Sequence, residues 1–166
     1  MVLEVFKVIG CNLSVDSIEV STSFKSKSSQ KKTILVLTAD TLTLNSDNKI
    51  LGKPKNRDEA IAMLSNRNPV LVGTGFCLDK KEFDGRQWHT IEQIVDYDQA
   101  YCTVDIPPHR LDFYLSKVAY LKVSGSFSVG GFGDQFVKEV VGNYSAIIGL
   151  PMYQLRKGLE KMDFFK

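Results

Sequence analysis

The chain has 166 residues, of which 43% are hydrophobic, 24% charged and 10% aromatic. This length is sufficient to bury a hydrophobic core within one domain. The 21 basic and 19 acidic residues give a net charge of +2, which is too small for the dense cationic face that holds nucleic acid polymers. A signal-peptide pattern and a membrane-length run of about 18 apolar residues are also missing from the sequence. We therefore expect a cytoplasmic protein, with nucleic acid polymers and membranes excluded as partners.

The cysteines and histidines do not form a recognised motif. Cys11, Cys77 and Cys102 are odd in number and far apart, without C-x-x-C spacing, so the sequence predicts neither a disulfide framework nor a zinc site. His89 and His109 have no acidic or cysteine neighbour at ligand spacing, and both are predicted to be surface or turn residues. These observations exclude a histidine-centred catalytic triad and a zinc hydrolase.

The first half of the chain alternates helix and strand patterns. The predicted elements are a short helix at 3–9, a strand at 12–20, a strand at Thr33–Thr38, a turn at Asn45–Asn48, a helix at Arg57–Leu64 and a strand at Pro69–Leu78. Thr33–Thr38 is a continuous apolar run rich in β-branched residues, which is typical of a strand covered on both faces. Asn56 is the predicted N-cap of the helix that follows.

The second half continues the alternation. The predicted elements are strands at Gln87–Val95 and Ala100–Ile106, a helix at His109–Lys117, a glycine-rich loop at Gly125–Gly133, a strand at Phe136–Val141 and a final helix at Met152–Met162. This order predicts an α/β or mixed α+β fold, in which a single domain has a central mixed sheet flanked by helices. Neither a G-x-G-x-x-G nor a Walker sequence occurs.

Asp40 is the first candidate functional residue. The apolar strand leads directly to it, and in sheets flanked by helices the ligand crevice opens at the carboxyl ends of the strands. An isolated Asp at a strand end more commonly caps a turn or a helix, so its position alone leaves both interpretations open. The same holds for Lys53, as an exposed lysine or a phosphate contact. The glycines of 125–133 either form a structural turn or bring backbone amides close to a ligand.

Five short motifs together resemble the Maf family in order and in approximate spacing. They are Ala39–Asp40–Thr41; Leu51–Gly52–Lys53–Pro54; Thr74–Gly75; Gly125–Ser126–Phe127 with Gly131 and Gly133; and Asn143–Tyr144–Ser145 followed by Ile148–Gly149–Leu150–Pro151. The resemblance implies a fold similar to the inosine triphosphate pyrophosphatases. It also implies a nucleoside triphosphate pyrophosphatase that uses Mg²⁺ or Mn²⁺, belongs to a family that restrains septum formation, and forms a homodimer.

The resemblance also implies roles for individual residues. Asp40 would be the proton acceptor that activates the attacking water, and it would help to hold the divalent metal. Thr41 would contact the substrate and influence the choice of base, and Lys53 would contact the phosphates. Gly130, where the family has a glutamine or glutamate that reads the base, and Gly131 would lie in the substrate-binding loop. The G-S-F sequence that begins this loop is more similar to the 7-methyl-GTP subgroup than to the dTTP/UTP subgroup.

The sequence also departs from the family pattern. Residues 1–166 are expected to form a single Maf-like domain that lacks the family's N-terminal strand and its S-x-S-P-R-R phosphate-binding signature. The family's acidic D-x-D-E segment is represented only by Glu19, and Lys122–Val123 stands where an Asp-Lys pair is common. Two interpretations therefore stay open. One is a working nucleoside triphosphate pyrophosphatase, and the other is a catalytically impaired Maf-like module that binds a nucleotide or a protein partner.

Overall fold

The computed structural model describes residues 32–65 and 69–165. The helix at 3–9 and the strand at 12–20 that the sequence predicts lie outside the described residues. The strands are β1 (Lys32–Leu44), β2 (Val70–Phe83), β3 (Trp88–Val104) and β4 (Val137–Gly142). The helices are α1 (Arg57–Ser65), α2 (Leu111–Lys117), α3 (Tyr144–Ile148) and α4 (Met152–Lys161). The described part of the chain thus confirms the mixed α and β fold class.

The described strands form one sheet in the order β1-β2-β3-β4. All of the pairings between them are antiparallel. β2 is therefore an inner strand, and every residue from Val72 to Leu78 is buried. β1 lies at one edge of the described sheet, and its residues Leu35 to Thr38 are half-buried, so the prediction that this segment is covered on both faces is wrong.

Two strands are longer than predicted. β1 continues from Thr38 to Leu44 because this part of the strand pairs with Leu71–Cys77 of β2. Asp40 therefore lies within the strand, opposite Gly75, and its predicted position at a carboxyl end is wrong. The two segments predicted around 87–95 and 100–106 are likewise one strand, because the polar residues 96–99 between them keep their pairing with β2.

The hydrophobic core lies on one face of the sheet. The alternate residues Val70, Val72, Phe76 and Leu78 of β2 share this face, since successive side chains of a strand point to opposite sides. Two clusters of buried residues rest on it. One contains the buried residues of α1, α2 and α3, and the other is closed by Leu155 of α4 with Met162 just beyond it.

The helix boundaries follow local capping signals. Asn56 Oδ1 accepts a hydrogen bond from Glu59 N at 2.9 Å, which confirms Asn56 as the N-cap of α1. Asn143 Oδ1 accepts from Ser145 N at 3.0 Å at the start of α3. Gly149, with φ at +110°, ends α3 in the left-handed conformation that favours glycine. The final helix, Met152–Lys161, ends one residue before its predicted end.

The two histidines lie at the surface, as predicted. His89 and His109 are both exposed, and His89 Nε2 lies 2.6 Å from Asp84 Oδ2. Cys77 and Cys102 are buried thiols. Among the helices of the described residues, none has the length and apolar character needed to cross a membrane.

Candidate functional site

A cavity of about 260 Å³ lies beside the core, where the sheet meets the glycine-rich segment and the end of α3. The sheet contributes Thr41 and Thr43 from β1, Val70 and Val72 from β2, and Cys102 from β3. These residues belong to the same face as the core, so the cavity is an opening within the apolar layer. A wall of this kind suits a ligand with a flat, apolar part.

The opposite wall is formed by residues 122–124 and 127–129 together with the end of α3. Lys122 is the one charged residue among the lining residues that the structure describes, and Ser124 and Ser128 add neutral polar groups. Within residues 32–65 and 69–165, no Asp or Glu belongs to the lining. The cavity therefore combines apolar surface with hydroxyl groups and a single positive charge.

Thr41 is the sequence-predicted site residue that lines this cavity. Its Oγ1 lies 2.7 Å from Thr74 Oγ1, and Thr74 Oγ1 lies 2.6 Å from the carbonyl oxygen of Ala146 in α3. Thr74 is fully buried. A Cβ atom at Gly149 would come within 3.5 Å of Thr41 Oγ1, so the missing side chain at that position leaves the hydroxyl group accessible from the cavity.

Asp40 does not share the cavity with Thr41. Because the two residues are neighbours in β1, their side chains point to opposite faces of the sheet. Asp40 is half-buried, and its Oδ1 accepts a hydrogen bond from Thr41 N at 2.9 Å. Its cross-strand partner is Gly75, which places no side chain against the carboxylate. The structure thus connects Asp40 to Thr41 through the backbone while separating their side chains.

Lys53 lies near the cavity wall but outside its lining. The loop that carries it is held against the glycine-rich segment by a hydrogen bond from Gly125 N to Gly52 O, at 3.0 Å. Pro54, the next residue, is buried, whereas Lys53 itself is exposed. Its ammonium group is therefore directed to solvent beside the segment that forms the wall.

Gly130 and Gly131 also lie outside the lining. Gly130 N donates to Asp134 Oδ1 at 2.7 Å, and a Cβ atom at Gly130 would lie 3.8 Å from Ile148 Cδ1. Ile148 is itself a lining residue, so Gly130 is one residue removed from the cavity. Gly131 is exposed. Of the five residues predicted for the site, the structure therefore brings Thr41 alone to the cavity.

The glycine-rich segment is more ordered than the predicted loop. It forms short helical turns at Ser124–Ser126 and Gly131–Phe136. Tyr114 of α2, which is fully buried, accepts a hydrogen bond from Ser128 N at 3.0 Å. The Tyr114 ring also stacks on Phe127, with ring centroids 5.4 Å apart. These contacts fix the backbone that forms one wall of the cavity.

The described residues do not form a complete metal centre. In residues 32–65 and 69–165, no group of three or more His, Cys, Asp and Glu side chains is placed to hold a metal ion. Mg²⁺ is commonly held by one or two carboxylates together with substrate phosphates and water, rather than by an all-protein cage. Asp40 supplies one carboxylate of the kind such an ion prefers.

Sequence reasoning missed two residues of the site. Thr74 belongs to the Thr74–Gly75 motif, but a threonine in an apolar strand gives no sign that its hydroxyl group joins β1 to α3. Lys122 stands in a segment that departs from the family pattern, and it resembles any exposed lysine. Only the folded chain places Lys122 in the same cavity as Thr41.

A cavity whose described lining combines apolar walls, hydroxyl groups and a lysine has the character of a small-molecule site. The chain belongs to the Maf family, because the family model described as Maf-like protein matches residues 15–162. It is 29% identical to a dTTP/UTP pyrophosphatase of Bacillus cereus (strain G9842) over 169 residues, covering 98% of this chain and 83% of that protein. It is 32% identical to a dTTP/UTP pyrophosphatase of Syntrophus aciditrophicus (strain SB) over 131 residues, covering 77% of this chain and 60% of that protein.

A third relative has the same named activity. A dTTP/UTP pyrophosphatase of Clostridium perfringens (strain 13 / Type A) is 30% identical over 131 residues, which cover 78% of this chain and 65% of that protein. These relatives are named for dTTP and UTP, whereas the G-S-F sequence at 125–127 favours the subgroup that acts on 7-methyl-GTP. The identity of the base is therefore a question for experiment.

Proposed function

We propose that the chain is a nucleoside triphosphate pyrophosphatase, which hydrolyses a standard or modified nucleoside triphosphate to the monophosphate and pyrophosphate. The observation that carries this proposal is family membership over residues 15–162, together with relatives named dTTP/UTP pyrophosphatases. The cavity supports it, because apolar walls suit a nucleobase and the positive charge of Lys122 suits a phosphate. The proposed site of action is the cytoplasm.

In the proposed reaction, water attacks the α-phosphorus. The new bond joins the water oxygen to this phosphorus, and the bond to the oxygen that bridges the α- and β-phosphates breaks. Asp40 accepts the proton of the water, and pyrophosphate leaves with the bridging oxygen. A divalent ion, Mg²⁺ or Mn²⁺, would supply charge neutralisation at the phosphates when bound. Thr41 contacts the substrate within the cavity.

Hydrolysis requires that the phosphate chain reach Asp40 from the cavity. Thr41 and Asp40 lie on opposite faces of β1, and β1 is an edge strand of the described sheet. The proposal routes the triphosphate from the cavity around this edge, beyond which no further strand lies in the described part of the chain. The proposal therefore places the base on the Thr41 side and the α-phosphate on the Asp40 side.

The separation of Asp40 from Thr41 also favours a second candidate function. A Maf-like module that binds a nucleotide without hydrolysing it needs the cavity, but it does not need a carboxylate at the α-phosphate. The two candidates differ in one measurable property, because only the first releases pyrophosphate.

The test is release of pyrophosphate from dTTP, UTP, CTP and 7-methyl-GTP, with Mg²⁺ or Mn²⁺ and with a chelator. We expect metal-dependent turnover that falls by about 10²- to 10⁴-fold in Asp40→Asn, since that variant lacks the general base. Asp47→Asn makes the same chemical change in an exposed turn and serves as the matched control. If no nucleotide is turned over at high protein concentration while one of them still binds, the second candidate replaces the first.

A further inference from the structure

Among the described residues that line the cavity, Lys122 alone has a formally charged side chain. The other lining side chains are apolar, or bear neutral hydroxyl groups or the Cys102 thiol. The described lining residues include no carboxylate that would cancel the positive potential of this ammonium group. The cavity is therefore electrostatically suited to an anionic ligand.

The backbone around Lys122 is fixed. Lys122 ends the short turn Tyr120–Lys122, and its N–H donates to Ala119 O at 2.8 Å. A few residues further on, a Cβ atom at Gly125 would lie 3.3 Å from Leu51 Cδ1 and 3.8 Å from Thr43 Cγ2. This close approach shows that the segment following Lys122 runs against β1. Lys122 itself lines the same cavity as Thr41 and Thr43 of β1.

The ammonium group of Lys122 is not used in an ion pair with the described carboxylates. Ion pairs between residues of the described ranges join Arg57 to Asp112, Lys81 to Asp79, His89 to Asp84, and Arg156 to Glu160. Lys122 is exposed and carries a compact charge on a flexible stem. A lysine of this kind binds phosphate as a point charge without requiring a fixed bidentate geometry.

We propose that Lys122 is a substrate-binding residue, which contacts the phosphate chain of a nucleotide where that chain leaves the cavity along β1. This assignment adds a residue to the set that the family resemblance supplies. The assignment rests on the proposed function for one point, which is that the ligand is a nucleotide. It does not require hydrolysis, because Lys122 contacts the phosphates of a bound nucleotide whether or not the nucleotide is hydrolysed.

The experiment measures binding of a UTP analogue whose α,β-bridging oxygen is replaced by a methylene group, by calorimetry on the full chain. Lys122→Met is expected to weaken binding about tenfold or more, since a charge-assisted hydrogen bond is lost. It should also make the affinity less sensitive to salt. Lys122→Arg retains the charge and is expected to stay within about threefold of the unmodified chain.

Lys138→Met is the matched control, because Lys138 is an exposed lysine of β4 outside the cavity. The proposal is overturned if Lys122→Met and Lys138→Met bind the analogue with equal affinity. It is also overturned if Lys53→Met loses affinity while Lys122→Met does not. Failure of the unmodified chain to bind the analogue would overturn it too. Binding without any turnover of the natural nucleotides would refute the proposed hydrolysis and leave the role of Lys122 intact, so the two failures are distinguishable.

Discussion

The hydroxyl group of Thr41 donates its hydrogen bond to Thr74. The two Oγ1 atoms are 2.7 Å apart, and Thr74 Oγ1 is also 2.6 Å from the carbonyl oxygen of Ala146. A carbonyl oxygen can only accept, so the single hydroxyl proton of Thr74 goes to Ala146, and Thr41 must supply the proton between the threonines. Thr41 therefore offers lone pairs to the cavity. A ligand group that meets this oxygen is a hydrogen-bond donor.

The first prediction concerns this chain of hydroxyl groups. Thr74→Val keeps the shape of a fully buried side chain but removes the partner of both Thr41 and Ala146. Since buried polar groups are then left unpaired, we expect the free energy of unfolding to fall by about 1–3 kcal/mol. Thr74→Ser keeps the hydroxyl group, so its free energy of unfolding is expected to fall by less than that of Thr74→Val. Urea denaturation of the three proteins measures the difference.

Thr43→Val is the control for that experiment. Thr43 also lines the cavity and is 6% exposed, so the same chemical change is made in the neighbouring strand β1 without breaking the Thr41–Thr74 bond. If Thr74→Val is no less stable than Thr43→Val, the hydrogen bonds of Thr74 do not stabilise the fold in the way that their lengths and burial indicate.

Local signals in the sequence predict α1, α2 and α4, whereas the short helix α3 is not among the predicted elements. Asn56 and the acidic first turn predict the start of α1, and the pattern at 152–162 predicts α4, because caps and helical periodicity involve residues close together in the chain. The sheet depends on distant pairing. The polar residues Asp96–Gln99 stay extended only because residues 73–76 of β2 lie opposite them.

The candidate site could be predicted only in part, because local sequence patterns do not contain the contacts between distant residues. Motif resemblance identifies Thr41, which the structure places in the cavity, but motifs do not encode the face of the sheet on which each residue falls. Once β1 is seen to continue to Leu44, alternation puts Asp40 on the face opposite Thr41. The hydrogen bonds of Thr74 join residues 33 and 72 positions apart, a relationship that no local pattern contains.

The second prediction tests the close packing of the glycine-rich segment. A Cβ atom at Gly133 would lie 1.9 Å from the backbone oxygen of Ser128, so Gly133→Ala forces the wall of the cavity to move. We expect a loss of about 2–3 kcal/mol in unfolding free energy, which is in the range of overpacked cores. We also expect weaker nucleotide binding, because Ser128 lines the cavity.

Gly52→Ala provides the comparison for this substitution. A Cβ atom at Gly52 would meet no atom within 4 Å, so its effect on stability is expected to stay within about 0.5 kcal/mol. Thermal unfolding followed by circular dichroism separates the two variants. Equal melting temperatures would contradict the close approach between residues 133 and 128.

The third prediction concerns the hairpin between β2 and β3. Asp84 Oδ1 accepts hydrogen bonds from Arg86 N at 2.8 Å and Gln87 N at 2.9 Å, and Oδ2 lies 2.6 Å from His89 Nε2. The bond from the Gln87 backbone is the largest cause that lowers the pKa of Asp84 from its ordinary 3.8 to about 2, followed by the His89 side chain and the Arg86 backbone. The turn therefore favours the ionised carboxylate.

The sign of the resulting pH dependence follows from the lowered pKa. Because Asp84 binds its proton less readily in the folded chain than in the unfolded chain, its stabilising contribution is complete above pH 3.8 and is lost as the pH falls toward about 2. We expect Asp84→Asn to lose less unfolding free energy than the unmodified chain as the pH falls through this window. The loss that other carboxyl groups cause is expected to stay the same. The measurement is the free energy of unfolding across that pH window, with carboxyl titration of Asp84 followed by NMR. If the free energy of unfolding of Asp84→Asn depends on pH as steeply as that of the unmodified chain, the turn does not hold the carboxylate in the way the contacts indicate. Titration of Asp84 near pH 3.8 in the unmodified chain would lead to the same conclusion.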